Sequence, residues 1–129
     1  MVLKVELRMI LETTLTIMVS DLNKAVTFYV ETLGLPLKEK YGSKYAELQL
    51  NGFVIGLHLT DSDQTSRICH SKSMFVGFRV EDLENAVANL QSKGVIFSTE
   101  IEDGVAGKFA YFEDPDGNPL YLWQSKASE

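Results

Sequence analysis

The sequence predicts an α+β fold made of two strand–helix–strand–strand–strand (βαβββ) modules, and three observations carry that expectation. A phrase recurs within the chain. Residues 19–26 read VSDLNKAV and residues 80–87 read VEDLENAV, with Val, Asp, Leu, Ala and Val at matching places. Both copies follow an apolar, strand-like run and open a helical pattern. Each half then continues with apolar runs around a tight-turn signal, Asn51-Gly52 in one and Asp114–Asn118 in the other.

Taken in order, the elements follow from these signals. Val2–Met9 alternates apolar and charged residues, which suggests an extra edge strand, although a short helix also fits. Asp21 stands where a helix N-cap belongs, and Leu22, Ala25, Val26, Tyr29 and Leu33 recur at helical spacing before Gly34 stops the helix. Leu37–Tyr41 is a candidate second strand. The runs KYAELQL and FVIGLHL then flank Asn51-Gly52, the strongest short hairpin signal. A polar stretch, Asp61–Lys72, reads as a surface linker. In the second half, Asp82 caps a helix carrying Leu83, Ala86, Val87 and Leu90, and Gly94 ends it. Val95–Thr99 is the candidate second strand, and KFAYF and PLYLWQ flank the Asp-Pro-Asp-Gly-Asn turn. One domain, 1–129, therefore divides into a first module (13–60), a linker (61–73) and a second module (74–124).

A half of about 55 residues buries too little surface to stand alone. Each sheet also keeps a free face once its helix covers the other, so two halves can close those faces around a shared cavity. The chain has 129 residues, 45% hydrophobic and 23% charged, which suits one globular domain. No apolar run approaches the ~20 residues of a membrane span. Lys4, Glu6 and Arg8 interrupt any signal-peptide core, and a single cysteine, Cys69, excludes an intramolecular disulfide. A cytoplasmic protein is expected. Net charge is −6 with scattered Lys and Arg, which argues against nucleic acid as the main partner.

The phrases TIMVSDLNKAVTFYVETLGL, FRVEDLENAVANLQSKGV and YFEDPDGNPLYL, in that order over residues 13–124, resemble the vicinal-oxygen-chelate superfamily. That group includes glyoxalase I, extradiol dioxygenases, fosfomycin-resistance enzymes and bleomycin-resistance proteins. The resemblance implies an open, cup-shaped barrel with helices outside, and a homodimer. The family's metal enzymes take ligands from the first and last strands of each module. Those places fall here on Thr14, Gly56, Phe75 and Tyr121, none of them His or Glu. Neutral hydroxyls are poor ligands for a divalent cation, so a metal-ligand-deficient member with no metal or cofactor is expected. Glu47, opposite Gly56 in a two-residue hairpin, and His58 are the substitutes on offer, and they form an incomplete set.

Strand alternation sorts the remaining chemistry. Leu15, Ile17, Val19, Ala46, Leu48, Leu50, Phe53, Ile55, Leu57 and Leu59 make one apolar face. Val76, Phe78, Val80, Ala110, Phe112, Leu120 and Leu122 make the other. The opposite faces carry Thr14, Thr16, Met18, Tyr45, Glu47, Gln49, Gly56 and His58 in the first module. In the second they carry Phe75, Arg79, Phe109, Tyr111, Tyr121 and Trp123. A cup so lined suits a small, partly aromatic organic molecule. Arg79 can hold a carboxylate or phosphate, and His58 can exchange a proton near neutral pH. Equally, His58 can be structural, Arg79 can pair with Glu47 or reach solvent, and the aromatics can meet a second subunit. The adjacent Cys69 and His70 read as loop residues, and Asp114 and Asp116 as turn chemistry. Metal-free sequestering of a small molecule, as in the bleomycin-resistance group, is the leading expectation. A glyoxalase- or dioxygenase-like lyase, isomerase or other enzyme with His58 and Glu47 as acid/base groups is the second, and an accessory association module is the third.

Overall fold

The computed structural model describes residues 14–60 and 75–126. Three expectations lie outside the described residues: the strand over Val2–Met9, the linker and the Cys69–His70 pair. Eight strands form two four-stranded sheets. The first runs β1 (Thr14–Val19), β4 (Phe53–Leu59), β3 (Tyr45–Leu50), β2 (Leu37–Tyr41) from edge to edge. The second repeats the pattern with β5 (Val76–Arg79), β8 (Pro119–Ser125), β7 (Gly107–Glu113) and β6 (Glu102–Asp103). In each, the first and last strands of the module pair in parallel and the others antiparallel. The fold is therefore two βαβββ modules, and the sheets do not close into a full barrel.

Local chemistry explains the elements. In α1 (Leu22–Val26), Asp21 Oδ1 accepts from Lys24 N at 3.0 Å. In α2 (Leu83–Ser92), Asp82 Oδ1 accepts from Asn85 N at 3.1 Å. Gly94, at φ +95°, closes α2: Val95 N reaches back to Leu90 O at 3.0 Å, and both side chains are buried. The first helix ends one residue more loosely. It runs on from α1 through a π-helical stretch, Thr27–Thr32, in which Leu33 N donates to Phe28 O, and Leu35 N then reaches Tyr29 O. Asn51 and Gly52 both take positive φ, 53° and 80°, as a two-residue hairpin turn requires.

One expected strand is corrected. Val95–Thr99 is not a strand; only Phe97 makes an isolated bridge, to Phe112, and the second strand of that module is the two-residue β6. The cause is the helix stop, because Val95 is held down against Leu90 while Ile96, 86% exposed, has no partner surface.

The core is a single cluster shared by both modules. Ile17, Val19, Ala46, Leu48, Ile55 and Leu57 pack with Leu22, Ala25 and Tyr29, and Ala110, Phe112, Leu120 and Leu122 with Leu83 and Leu90. Of the expected helix-facing sets, Ile17, Val19, Ala46, Leu48, Ile55, Leu57, Ala110, Phe112, Leu120 and Leu122 are buried, Leu15, Leu59, Val76, Phe78 and Val80 are half-buried, and Leu50 and Phe53 are about half exposed at the turn. Phe28 of the first helix meets Phe112 of the second sheet with ring centroids 6.5 Å apart. The Asp-Pro-Asp-Gly-Asn turn does more than reverse the chain. Asp114 is buried and accepts from Asp116 N, Asn118 N and Asn118 Nδ2 at 2.8–2.9 Å, and from Tyr29 Oη at 2.7 Å. The Asp116 carboxylate accepts from Ser20 N at 3.1 Å, just ahead of α1. One turn of the second module therefore ties down the first helix.

Candidate functional site

The residues opposite the core face of each sheet form two walls. On the first, parallel pairing sets Thr16 beside Gly56, and antiparallel pairing sets Glu47 on the other side of Gly56. On the second, the equivalent row is Gly77, Tyr121 and Tyr111. Thr14 pairs instead with Val54, and Phe75 lies just ahead of β5. Thr14 and Phe75 therefore share the face with Gly56 and Tyr121 but sit two residues along, about 6.6–6.8 Å.

Both rows share a device that the sequence did not announce. Each glycine lies under a tyrosine ring. A Cβ at Gly56 would come within 2.5 Å of Tyr45 Oη and 2.9 Å of its Cε1. A Cβ at Gly77 would overlap the Tyr121 ring. Removing a side chain from one strand thus seats a ring from its neighbour.

On the first wall, Tyr45 donates to Glu47 Oε2 at 3.0 Å, and Lys38 lies 3.7 Å from Glu47 Oε1. Burial, then the hydrogen bond to Glu47, pushes the Tyr45 hydroxyl above its ordinary pKa. Tyr41 stacks on Tyr45 at 5.8 Å, and the half-buried His58 lies 5.9 Å from Tyr45, centroid to centroid. His58 Nδ1 is 2.9 Å from Leu59 O. A carbonyl only accepts, so Nδ1 carries the proton in that contact and Nε2 is left as the acceptor in the neutral ring. Glu47 pairs with Lys38, whereas Arg79 is exposed and has no ion partner among the described residues. A bulge between Leu37 and Glu39 breaks the simple alternation of β2 and hid Lys38 from sequence, whereas Tyr41, directly opposite Tyr45, follows the regular register and could have been found by alternation.

The second wall is mainly aromatic, with Gly77 and Arg79 on the same face. Phe75 meets Tyr111 at 6.0 Å, Tyr111 meets Tyr121 at 5.7 Å, Tyr121 meets Phe109 at 6.1 Å, and Phe109 stacks on Trp123 at 6.4 Å and 16°. The structure thus joins five of the expected ligand-binding residues into one chain of rings. It joins Tyr45, Glu47, Gly56 and His58 on the other wall, with Thr14, Thr16 and Met18 along β1. Among the described residues, no three His, Cys, Asp or Glu side chains come within reach of one metal ion. The rows at the family's ligand positions offer one carboxylate, hydroxyls and glycines, a set that does not fit a divalent cation. Among the described residues no helix is long and apolar enough to cross a membrane.

Comparison with known proteins agrees with this architecture. The chain is 34% identical over 111 residues to the glutathione transferase FosA of Serratia marcescens, covering 84% of this chain and 76% of that one. It is 31% identical over 119 residues to the uncharacterized protein YaeR of Escherichia coli, covering 85% and 92%. Among solved structures, TnmS3, an antibiotic binding protein from Streptomyces, matches with a TM-score of 0.65 at 27% identity over 92% of this chain and 100% of that one. Residues 11–122 match the model of one family, and the chain belongs to the Glyoxalase/Bleomycin resistance protein/Dioxygenase superfamily.

Proposed function

We propose that the chain is a cytoplasmic, metal-independent binding protein for a small, partly aromatic, anionic organic molecule. The observation that carries this reading is the unbroken chain of five rings on the helix-free face of the second sheet. Buried core aromatics need no such face, and stacking on rings contributes ~0.5–1.5 kcal/mol per pair beyond area burial. Arg79, on the same face, supplies a charge-assisted hydrogen bond of ~1.5–3 kcal/mol, and His58 is the second polar anchor. Phe75 and Tyr41 remain 45% and 52% exposed. A second copy covers such surface, so the working unit is a homodimer. The similarity to an antibiotic binding protein supports a sequestering role.

Trp123 is the sole tryptophan, so its fluorescence reports on the wall directly. Screening metabolites and antibiotics for quenching should yield binders. By calorimetry on the binders found, Trp123→Ala should weaken all of them, and Arg79→Ala should weaken anions alone. Binders that both variants hold as tightly as the parent would refute the assignment.

A second reading is an enzyme built on His58 and Glu47. It is favoured by the contact of His58 Nδ1 with the Leu59 carbonyl, in which Nε2 is the ring's acceptor atom, and by the similarity to a transferase. Turnover of a bound compound that His58→Gln abolishes without weakening binding would select this reading over sequestration.

A further inference from the structure

A cavity of about 230 Å³ lies where the β3–β4 hairpin of the first module meets β5, an edge strand of the second sheet. It enters the core layer between the modules. Leu48, Ile55, Val76 and Phe78, which line it, belong to the core cluster or pack against it. None of the five rings of the second wall lines it. Among charged groups the two places have only Arg79 in common.

Burial gives the cavity a direction. Leu35, Leu48 and Ile55 are buried and make an apolar floor. Leu50 and Phe53 are about half exposed and make the rim, together with the exposed Asn51 and Arg79. Among the described residues that line the cavity, Arg79 is the sole charged one, so no carboxylate opposes it. This lone cation stands out in a chain of net charge −6. The backbone adds donors beside it. Val80 N donates to Trp123 O at 2.8 Å, so by alternation the N–H groups of Gly77 and Arg79 point away from β8, toward the open edge.

An apolar floor favours a hydrocarbon body, and a rim of donors around one guanidinium favours an anion. We propose that this cavity binds a small monocarboxylate with a compact aliphatic body. The body packs on Leu35, Leu48 and Ile55, and the carboxylate sits at the rim against Arg79. One planar guanidinium with no second cation beside it matches a single carboxylate, which takes its paired N–H groups. The volume is below the ~300–1,000 Å³ of ordinary ligand pockets, which limits the body to a short chain. This site goes beyond the proposed function and does not rest on it, because it uses neither the rings nor His58.

Octanoate and its neutral counterpart 1-octanol are the probes, titrated into the full chain and followed by amide NMR. Both should shift the amides of Leu50, Asn51, Phe53 and β5, and octanoate should bind about tenfold more tightly. Arg79→Ala should erase that preference by weakening octanoate alone. Leu50→Asp changes a half-exposed rim position outside the ring wall. By like-charge repulsion it should weaken octanoate about tenfold and 1-octanol far less. Absence of shifts around β5 at millimolar probe would overturn the proposal. So would equal binding of the two probes by the parent, or octanoate shifts centred on Phe109 and Tyr111, which would assign it to the ring wall. Quenching of Trp123 by other compounds bears on the ring wall alone, so the two readings fail separately.

Discussion

Tyr29→Phe isolates the bond that joins the two modules. Tyr29 is fully buried, and its hydroxyl donates to the buried Asp114 carboxylate at 2.7 Å. Phe keeps the ring and its contacts with Phe28 and the core, so no cavity opens. The loss is one hydrogen bond to a charged acceptor, ~1.5–3 kcal/mol. Asp114 retains three donors, from Asp116 N, Asn118 N and Asn118 Nδ2, so it is not left bare. The lower half of that range, ~1.5–2 kcal/mol, is therefore expected. With a urea m-value of ~2 kcal/mol/M, the midpoint should fall by about 1 M at unchanged slope. The pH dependence carries a second signature. Burial first, and then the Asp114 charge, push the Tyr29 pKa upward. The folded state thus holds the neutral hydroxyl while the unfolded chain ionises near pH 10. The stabilisation is complete below that value and is lost above it, by up to ~1.4 kcal/mol per pH unit. Urea midpoints between pH 8 and 11 should decline less steeply in Tyr29→Phe. A midpoint shift under 0.2 M (about one-fifth of expectation), or identical alkaline slopes, would refute the account of this bond.

Three further outcomes are expected. Gly77→Ala should displace the Tyr121 ring from its seat; because a ring can swing aside, stability should fall by only ~1 kcal/mol while ligand quenching of Trp123 weakens severalfold, and a variant that binds as the parent does would contradict the role of that ring. Elemental analysis after gentle dialysis should find no stoichiometric divalent metal, and about one zinc, nickel, manganese or iron per chain would oppose the metal-independent reading. Light scattering at micromolar concentration should return a dimer mass, and a monomer mass would remove the second copy from the proposed site.

Local signals made most of the fold legible. The repeated Val-x-Asp-Leu phrase located both helices, because an Asp side chain at the N-cap and apolar residues at helical spacing are enforced by neighbours in the chain. Period-two alternation likewise placed Tyr45, Glu47 and His58 on one face and Tyr111, Tyr121 and Trp123 on the other. Signals failed where the deciding partner is distant or the ladder irregular. The expected strand at Val95–Thr99 was lost to the helix stop, and the bulge in β2 hid Lys38. Nothing local to Asp114 reveals that its fourth donor is Tyr29, 85 residues away.

The same contrast bears on how the two halves came to differ. Both keep the Asp cap ahead of the helix and the parallel pairing of first and last strands. They part at the final hairpin. The first module turns on Asn51 and Gly52 alone, whereas the second uses the longer Asp114–Asn118 turn, whose carboxylates reach Tyr29 and Ser20 in the other half. They part again on the helix-free faces. One glycine seats a ring beside Glu47, Lys38 and His58; the other seats a ring among four more aromatics. If the two walls serve one ligand, their chemistry divides the labour. The rings offer area without regard to which flat molecule arrives, so they govern affinity. Arg79, His58 and Glu47 reward only a ligand with matching charge or hydrogen bonds, so they govern choice. Substitutions at the rings should then change binding across a ligand series in parallel, and substitutions at the polar groups should reorder the series.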